Sequence, residues 1–283
     1  MIPAMDHSPL GDPPFGYDAF AQMVQDTIGV CIPQTKRKMI ENRLGSRVRE
    51  LGLRDVQEYF RHLFQDDALG AEMHHIEAAV TTNKTDFFRE IDHFHFLRQV
   101  ILGTASRQNP KGMFKAWSAA ASTGAESYTL AMVLAEHALA YPDFQWGVLG
   151  TDISGRVLDH AKRGIYSTSV IAPVPQELRS RYLHEGRNEW QGKWRITPAL
   201  RNRVRFRKLN LMDADYNVDI NLDVIFLRNV LIYFDPEVQL SVLSKISRHL
   251  APGGHLFVGH SEGMVVRMPQ FRQVAPSVYR KEA

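Results

Sequence analysis

The sequence predicts an α/β protein: a parallel sheet covered by helices, preceded by a small all-helical domain. Three observations carry that expectation. From Tyr17 to about Val80 apolar residues recur at helical spacing; beyond about residue 82 strand-like apolar runs alternate with amphipathic helices; and between Gly164 and Val204 that alternation is interrupted once.

Residues 1–16 hold four prolines and two glycines with no apolar period and read as a flexible lead-in. In the helical domain, 17–82, the stripes are Phe20, Met23, Val24 and Ile28, then Ile40, Leu44, Val48 and Leu51, then Tyr59, Phe60, Leu63 and Phe64, with Gly29 and Gly52 as stops. Phe87, Phe88, Ile91, Phe94 and Leu97 continue the helical spacing, so a linker helix is expected from Asn83 to Leu102, within a linking segment 83–115. The sheet domain, 116–283, is expected to use MFKAWSA, WGVLGTD, VRFRKLNL and LDVIFLRNV as successive strands. HLFVGHS and FRQVAPSVYRK then close the chain as a terminal hairpin. The insertion, at about 165–204, carries Pro173, Pro175, Trp190, Trp194 and many arginines and forms a small subdomain.

Composition narrows the classes of function. With 44% hydrophobic residues over 283 positions the chain can bury a full core. No apolar run approaches the roughly 18 residues of a membrane span, and the N-terminus lacks the basic and apolar regions of a secretory signal. The single cysteine, Cys31, cannot form an internal disulfide, which places the expected compartment in the reducing cytoplasm. A net charge of +3 is too mild to require nucleic acid, so electrostatic recognition must come from local clusters.

In an open parallel sheet the ligand lies beyond the carboxyl ends of the strands, where strand order reverses. After the first strand come Ser118 to Gly124, small residues, Ala120 among them, that let the backbone approach a bound molecule. The second strand ends at Asp152, suited to accepting two hydrogen bonds from a ribose diol. The third ends at Asn210-Leu211 and the fourth at Arg228-Asn229-Val230. Each feature alone has an ordinary explanation, such as tight packing or a helix N-cap. Together, in order, they describe a nucleoside-bearing cofactor. The turn lacks the Gly-x-Gly-x-x-Gly of a dinucleotide site and sets Glu126 beside Gly124, where a diphosphate would be repelled and an ammonium or sulfonium favoured. S-adenosylmethionine has both.

Five motifs go further: Thr81-Thr82-Asn83-Lys84-Thr85-Asp86-Phe87-Phe88-Arg89-Glu90, Trp117 to Gly124, Thr151-Asp152-Ile153, Arg228-Asn229-Val230-Leu231-Ile232-Tyr233-Phe234 and Gly259-His260-Ser261-Glu262. On these, the chain from about residue 17 resembles the CheR-type chemotaxis receptor methyltransferases, which methylate glutamate side chains. The resemblance implies a class I S-adenosylmethionine-dependent methyltransferase (Rossmann-like) sheet, an all-helical N-terminal domain and a small antiparallel β insertion used for docking on receptors. It places Asn83, Thr85 and Arg89 over the cofactor and the glutamate, and it gives Ala120, Glu126, Asp152, Asn210, Leu211, Asn229 and Val230 to the cofactor. The family's turn Gly-Glu-Glu-Pro-Tyr-Ser stands here as Gly124-Ala125-Glu126-Ser127-Tyr128-Thr129, losing the first Glu and the Pro while the second acidic position remains, and Gly263-Met264 replaces the Asn-Phe often found after His-Ser-Glu.

The implied reaction is in-line attack of a glutamate carboxylate on the donor methyl. A carboxylate is already ionised near neutral pH, its unperturbed pKa being about 4.3, so positioning matters more than proton transfer. Arg89 is the candidate for orienting the carboxylate and Tyr233 for donating to it or lining the methyl path. Spacing alone equally allows Arg89 to pair with Glu90 or Asp86, and Tyr233 to be core. His74-His75 and His93-Phe94-His95 lack metal-site spacing, and no metal is expected.

Lys36, Arg43 and Arg47 fall within about 40° of one another on a helix, a basic face beside an apolar stripe. The resemblance makes that face a dock for receptor helices rich in glutamate, giving steering and register. Arg179, Arg181, Arg187, Lys193 and Arg195 make the insertion basic as well. Two rival functions remain: a catalytically silent module that binds S-adenosylmethionine or S-adenosylhomocysteine, and a nucleic-acid methyltransferase. The first is opposed by Asn83, Arg89 and Tyr233, the second by the absence of an Asp/Asn-Pro-Pro-Tyr motif after the fourth strand. The expected partners are therefore chemoreceptor cytoplasmic domains, not nucleic acid or membrane, and a monomer is expected because no exposed apolar stripe is evident.

Overall fold

The computed structural model describes residues 15–66, 68–81, 84–108 and 112–282, so all but the last two residues of the expected lead-in, and Asn83, lie outside the described residues. The chain separates into two compact units that divide after Thr81.

The first unit contains α1 (Tyr17–Ile28), α2 (Arg37–Glu50), α3 (Val56–Gln65) and α4 (Leu69–Val80). α1 stops where Gly29 turns to φ 82° and its N–H closes on the Gln25 carbonyl at 2.9 Å. α3 starts at Asp55, whose carboxylate accepts the Glu58 N–H at 2.8 Å. Phe20, Val24, Ile28, Ile40, Leu44, Val48, Tyr59, Phe60 and Leu63 are buried, each apolar side chain contributing about 1.5–3 kcal/mol. The Phe20 and Phe60 rings stack at 4.8 Å.

The second unit corrects one expected element at once. No continuous helix runs through 84–102: residues 84–90 form an extended segment and turn, and the helix α5 covers only Ile91–Phe96 before a π-helical stretch over Leu97–Leu102 and α6 (Gly103–Gln108). Phe88 and Glu90 both adopt φ 55°, which no helix tolerates. The cause is tertiary. Phe87 packs edge-on to Tyr166 at 5.0 Å, the Phe88 N–H donates to Thr129 Oγ1 at 3.2 Å, and Arg228 holds the Arg89 carbonyl. The aromatic residues therefore pack in different directions instead of forming one helical stripe.

The sheet strands follow as β1 (Met113–Ala119), α7 (Ala125–Ala140), β2 (Gln145–Asp152) and α8 (Gly155–Arg163). The insertion comes next, with β3 (Ile165–Ser167), α9 (Thr168–Ile171), α10 (Gln176–Tyr182), β4 (Leu183–Glu185), β5 (Lys193–Ile196) and α11 (Pro198–Arg201). Its strands make a separate antiparallel sheet in the order β3-β5-β4. The main chain resumes with β6 (Val204–Lys208), β7 (Leu222–Leu227), α12 (Pro236–His249), β8 (Leu250–Val258), β9 (Phe271–Ala275) and β10 (Val278–Lys281).

Seven strands form the main sheet in the order β6-β2-β1-β7-β8-β10-β9. β6, β2, β1, β7 and β8 are parallel, and β10 runs antiparallel to both of its neighbours. The terminal hairpin thus differs from expectation. FRQVAPSVYRK is itself the hairpin, turning at Ser277 (φ 55°), and its second arm inserts beside β8. Chain order grows outward from β1 through β2 to β6, then jumps back across β1 to β7, so the switch point lies between β1 and β7. Helices covering both faces explain why β7 is nearly uniformly apolar. Trp117 is fully buried in β1 and donates its Nε1–H to Thr151 Oγ1 at 2.9 Å.

Beneath the site, the Phe206 ring lies over Gly150. A Cβ there would meet ring atoms at 2.6 and 2.7 Å and Ser127 Oγ at 2.8 Å. Gly150→Ala should therefore lower stability by about 1–3 kcal/mol through overpacking, read as a reduced urea midpoint at unchanged m value.

Candidate active site

The loop from β1 to α7 is built from tight left-handed turns. Ala120 (φ 62°), Ser122 (φ 51°) and Gly124 (φ 90°) take positive φ, and a Cβ on Gly124 would meet the Ala161 Cβ at 2.8 Å, so that position requires glycine. The loop is pinned by Asp152 at the end of β2, whose Oδ2 accepts the Ser122 N–H at 2.8 Å while Oδ1 accepts the Ser154 N–H at 3.0 Å. Phe88, Glu90, Ala120, Ser122 and Asn229 are five of the eight left-handed non-glycine residues among the described residues. Each costs about 1–3 kcal/mol and persists because its surroundings over-determine it, and such residues gather at functional sites.

Charge organises the same region. Arg228 follows β7 with its side chain 1% exposed. Its Nη1 donates to Glu126 Oε2 at 2.9 Å, and its Nη2 lies 3.0 Å from Glu90 Oε2 and donates to the Arg89 carbonyl. Ser118 Oγ donates to the other Glu126 oxygen at 2.7 Å. Burial raises both carboxyls. For Glu126 burial prevails, and its pKa is pushed up despite Arg228; for Glu90, Arg228 and Asn229 outweigh burial and hold it below the usual range. Two carboxylates share one guanidinium, so the buried cluster carries an excess of negative charge when both are ionised. His93, 2% exposed, is pushed down to about 4 by burial and by Arg228, and is neutral at pH 7. Glu90, His93 and His260 bring ligand-type atoms within 4.8 Å of one another, and the Glu90 oxygen among them lies 3.0 Å from Arg228 Nη2.

A fourth carboxylate, Glu262, is fully buried and accepts backbone N–H groups from Gly259 and Asn229 on one oxygen and from Ile232 on the other. Asp152, Glu126, Arg228 and Glu262 lie at or just beyond the carboxyl ends of β2, β1, β7 and β8, and Glu90 and His93 reach them from the chain before β1. Two family profiles match the chain. That described as "CheR methyltransferase, SAM binding domain" matches residues 83–279, and that described as "CheR methyltransferase, all-alpha domain" matches residues 16–81. The chain belongs to the CheR methyltransferase family. Among its relatives, a protein named chemotaxis protein methyltransferase 2 from Pseudomonas aeruginosa is 38% identical, the match covering 89% of this chain and 87% of the relative. Those named chemotaxis protein methyltransferase from Salmonella typhimurium and Escherichia coli are 38% and 36% identical, covering 91% and 92% of this chain and 87% and 88% of theirs.

The cofactor of this CheR domain is S-adenosylmethionine, and the residues present fit it. Glu126 and Glu90 outnumber their one buried guanidinium, which suits a ligand bearing an ammonium and a sulfonium. Asp152, oriented by two backbone amides, can accept further hydrogen bonds, as a carboxylate with about four lone-pair sites does.

The other candidate positions are placed as follows. Asn83 is outside the described residues, and Thr85 and Arg89 are half-buried in the segment before α5, with Arg89 Nη1 donating to the Lys84 carbonyl at 3.3 Å. Ala120 follows β1. Asn210 and Leu211 follow β6; Asn210 Oδ1 accepts the Met212 N–H at 3.0 Å, and the buried Leu211 offers its carbonyl to Tyr216 and Lys245. Asn229 (φ 58°) and Val230 follow β7, with Asn229 Nδ2 reaching Glu90 Oε1 at 3.4 Å, and Tyr233 ends the 3-10 turn Leu231–Tyr233. Sequence reasoning gave no role to Arg228, Glu90 or Glu262. The available signal was a cation at the end of the apolar run LDVIFL, which must find a partner once buried.

In the helical unit the expected basic face is largely committed. Lys36 precedes α2 and is exposed. Arg43 donates to the Ala79 and Thr81 carbonyls at 2.9 and 3.1 Å, capping the end of α4. Arg47 grips Glu72 with both arms at 2.9 and 2.7 Å, and Tyr59 Oη donates to the same carboxylate at 3.1 Å. The Glu72 side chain is 3% exposed, so Arg47 serves an internal ion pair, contrary to the open docking face that helical spacing suggests.

Arg47 holds the Glu72 carboxyl below its ordinary value, with Tyr59 adding to the effect against burial. A depressed folded pKa contributes stability that is present above the unfolded value near 4.5 and lost as pH falls through the lower folded value. Arg47→Ala should thus lower the thermal midpoint at pH 7, with the deficit shrinking below pH 4.5 in a pH series of melts. Asp152→Ala should raise the calorimetric Kd for S-adenosylhomocysteine at least about tenfold, since hydrogen bonds to a charged acceptor are lost and the Ser122 turn is released.

Proposed function

We propose that this CheR-family methyltransferase esterifies glutamate side chains on the cytoplasmic helices of chemoreceptors. The observation that carries the reading is the Arg228 cluster. One buried guanidinium joins the Arg89–Glu90 turn to Glu126, setting a candidate carboxylate-binding arginine beside two acidic side chains at the switch point.

When bound, S-adenosylmethionine supplies an electrophilic methyl on a sulfonium and is left as S-adenosylhomocysteine. The substrate glutamate needs no base, because it arrives ionised. Arg89 orients it, its planar fork holding one side of the carboxylate while a lone pair stays available for attack. Tyr233 donates to the same carboxylate or lines the approach. The bound donor would give up its methyl to the carboxylate oxygen and keep the electron pair of the broken carbon–sulfur bond. Asp152, Asn210 and Asn229 would hold its nucleoside end, and Glu126 its cationic end. Such a site gains rate from alignment and from partial exclusion of water at the attacking oxygen.

Two alternative functions make different predictions for the same assay. Given labelled donor, receptor cytoplasmic fragments, bulk RNA and DNA, the chain should label only the receptor, and the label should be released by mild base as expected for a methyl ester. Base-stable label on nucleic acid, or no label with binding retained, would overturn the proposal. Arg89→Ala should cut turnover at least about a hundredfold while binding S-adenosylhomocysteine within about threefold of the unsubstituted chain, as expected for an interaction made in the transition state. Near-normal turnover would remove Arg89 from the mechanism.

A further inference from the structure

Glu262 is the most deeply buried carboxylate of the second unit, at 0% exposure, and the reaction proposed above makes no use of it. An N3 glutamate reaching back to its own N-cap amide is ordinary capping, and the 2.6 Å bond from the Gly259 N–H is of that kind. The remaining bonds are not. The same Oε2 accepts the Asn229 N–H at 2.7 Å, 33 residues away in sequence, and Oε1 accepts the Ile232 N–H at 3.3 Å, with the Leu231 amide also facing the carboxylate. All of these partners are backbone donors, so both oxygens must accept.

The segment held in this way is the Asn229–Tyr233 loop, which has two supports. Glu262 takes its N–H groups, and Gln239 Nε2 on α12 donates to the Leu231 and Phe234 carbonyls at 2.9 and 3.0 Å. The 3-10 turn Leu231–Tyr233 has only the Tyr233 and Phe234 amides closing within it, at 3.2 and 3.0 Å. So short a turn is weakly self-supporting. The spacing on the far side is equally tight, since a Cβ on Gly259 would meet Asn229 Nδ2 at 2.5 Å and Glu262 Oε2 at 2.6 Å.

We infer that Glu262 is a positioning residue for methyl transfer: its carboxylate, together with the Gln239 carboxamide, fixes the turn that carries Tyr233 relative to the cofactor loop at Asn229. This rests on the reading of Tyr233 as a group that meets the substrate carboxylate. The two oxygens have separable duties. Oε2, with bonds of 2.6 and 2.7 Å, secures Gly259 and Asn229 on the cofactor side, while Oε1, with its longer bond, steadies the Tyr233 turn.

Glu262→Gln separates these duties, because an amide has one acceptor and one donor end. Its oxygen takes the tight Gly259–Asn229 pair, and its NH2 is left facing the Ile232 amide. The test is a double-mutant cycle with Tyr233→Phe in receptor methylation, with kcat normalised to sites that bind S-adenosylhomocysteine. Gln239→Leu is run in parallel, so that a folding failure of the buried variant leaves the second support to decide. Expected are a fall in kcat of roughly tenfold to a hundredfold when Tyr233 is intact, a Kd for S-adenosylhomocysteine within about threefold, and less than about twofold further loss in the Tyr233→Phe background. Equal losses in both backgrounds, or undiminished kcat, would remove Glu262 from the support of Tyr233. Full turnover by Tyr233→Phe alone would instead sink the reading of Tyr233, a result distinct from additivity.

Discussion

A guanidinium with its side chain 1% exposed cannot remain unpaired, and much of the second unit is arranged around satisfying Arg228. It draws Glu126 from the first turn of α7, Glu90 and the Arg89 carbonyl from the segment before α5, and it lies over the Phe94 and Phe226 rings at 5.6 and 5.9 Å. Three stretches of chain far apart in sequence are thereby held at one point. The left-handed backbone at Phe88 and Glu90 persists because these contacts, with the Phe88 N–H on Thr129, leave the turn no better alternative. The constraint that holds the turn also fixes the main chain at Arg89.

The same cluster sets the local electrostatics. Two carboxyls face one guanidinium, leaving an excess of negative charge when both are ionised, and the ligand of a CheR domain is a sulfonium that also carries an ammonium. Glu126, its pKa raised by burial, gains most from a cationic neighbour. His93, held neutral by burial, leaves that balance undisturbed near pH 7.

Backbone amides do much of the remaining positioning. Asp152 is oriented by the Ser122 and Ser154 N–H groups and Glu262 by those of Gly259, Asn229 and Ile232. Carboxylates fixed by main chain are pre-oriented before any ligand arrives. That suits a reaction whose nucleophile is already ionised and whose barrier is lowered chiefly by alignment. In the helical unit the arginines of α2 serve similar internal ends: Arg43 and Arg47 hold α4, through its last carbonyls and through Glu72. A cationic face at helical spacing is therefore not by itself an open binding surface.

The sequence alone was enough to establish what depends on local pattern. Period separated the helical unit from the sheet unit, the apolar runs located β1, β2, β6 and β7, and strand direction fixed which end of the sheet holds the switch point. Tertiary structure decided what depends on partners distant in sequence. The aromatic spacing of Phe87 to Leu97 predicted a continuous helix, but Tyr166, Thr129 and Arg228 broke it. FRQVAPSVYRK held two strands whose order beside β8 no local signal records. Arg47 lay among charges that looked solvated until Glu72 was found buried against it. Arg228 and Glu262 gained their roles only through partners 102, 139 and 33 residues away, since the cost of burying a charge falls on whichever segments the fold brings beside it.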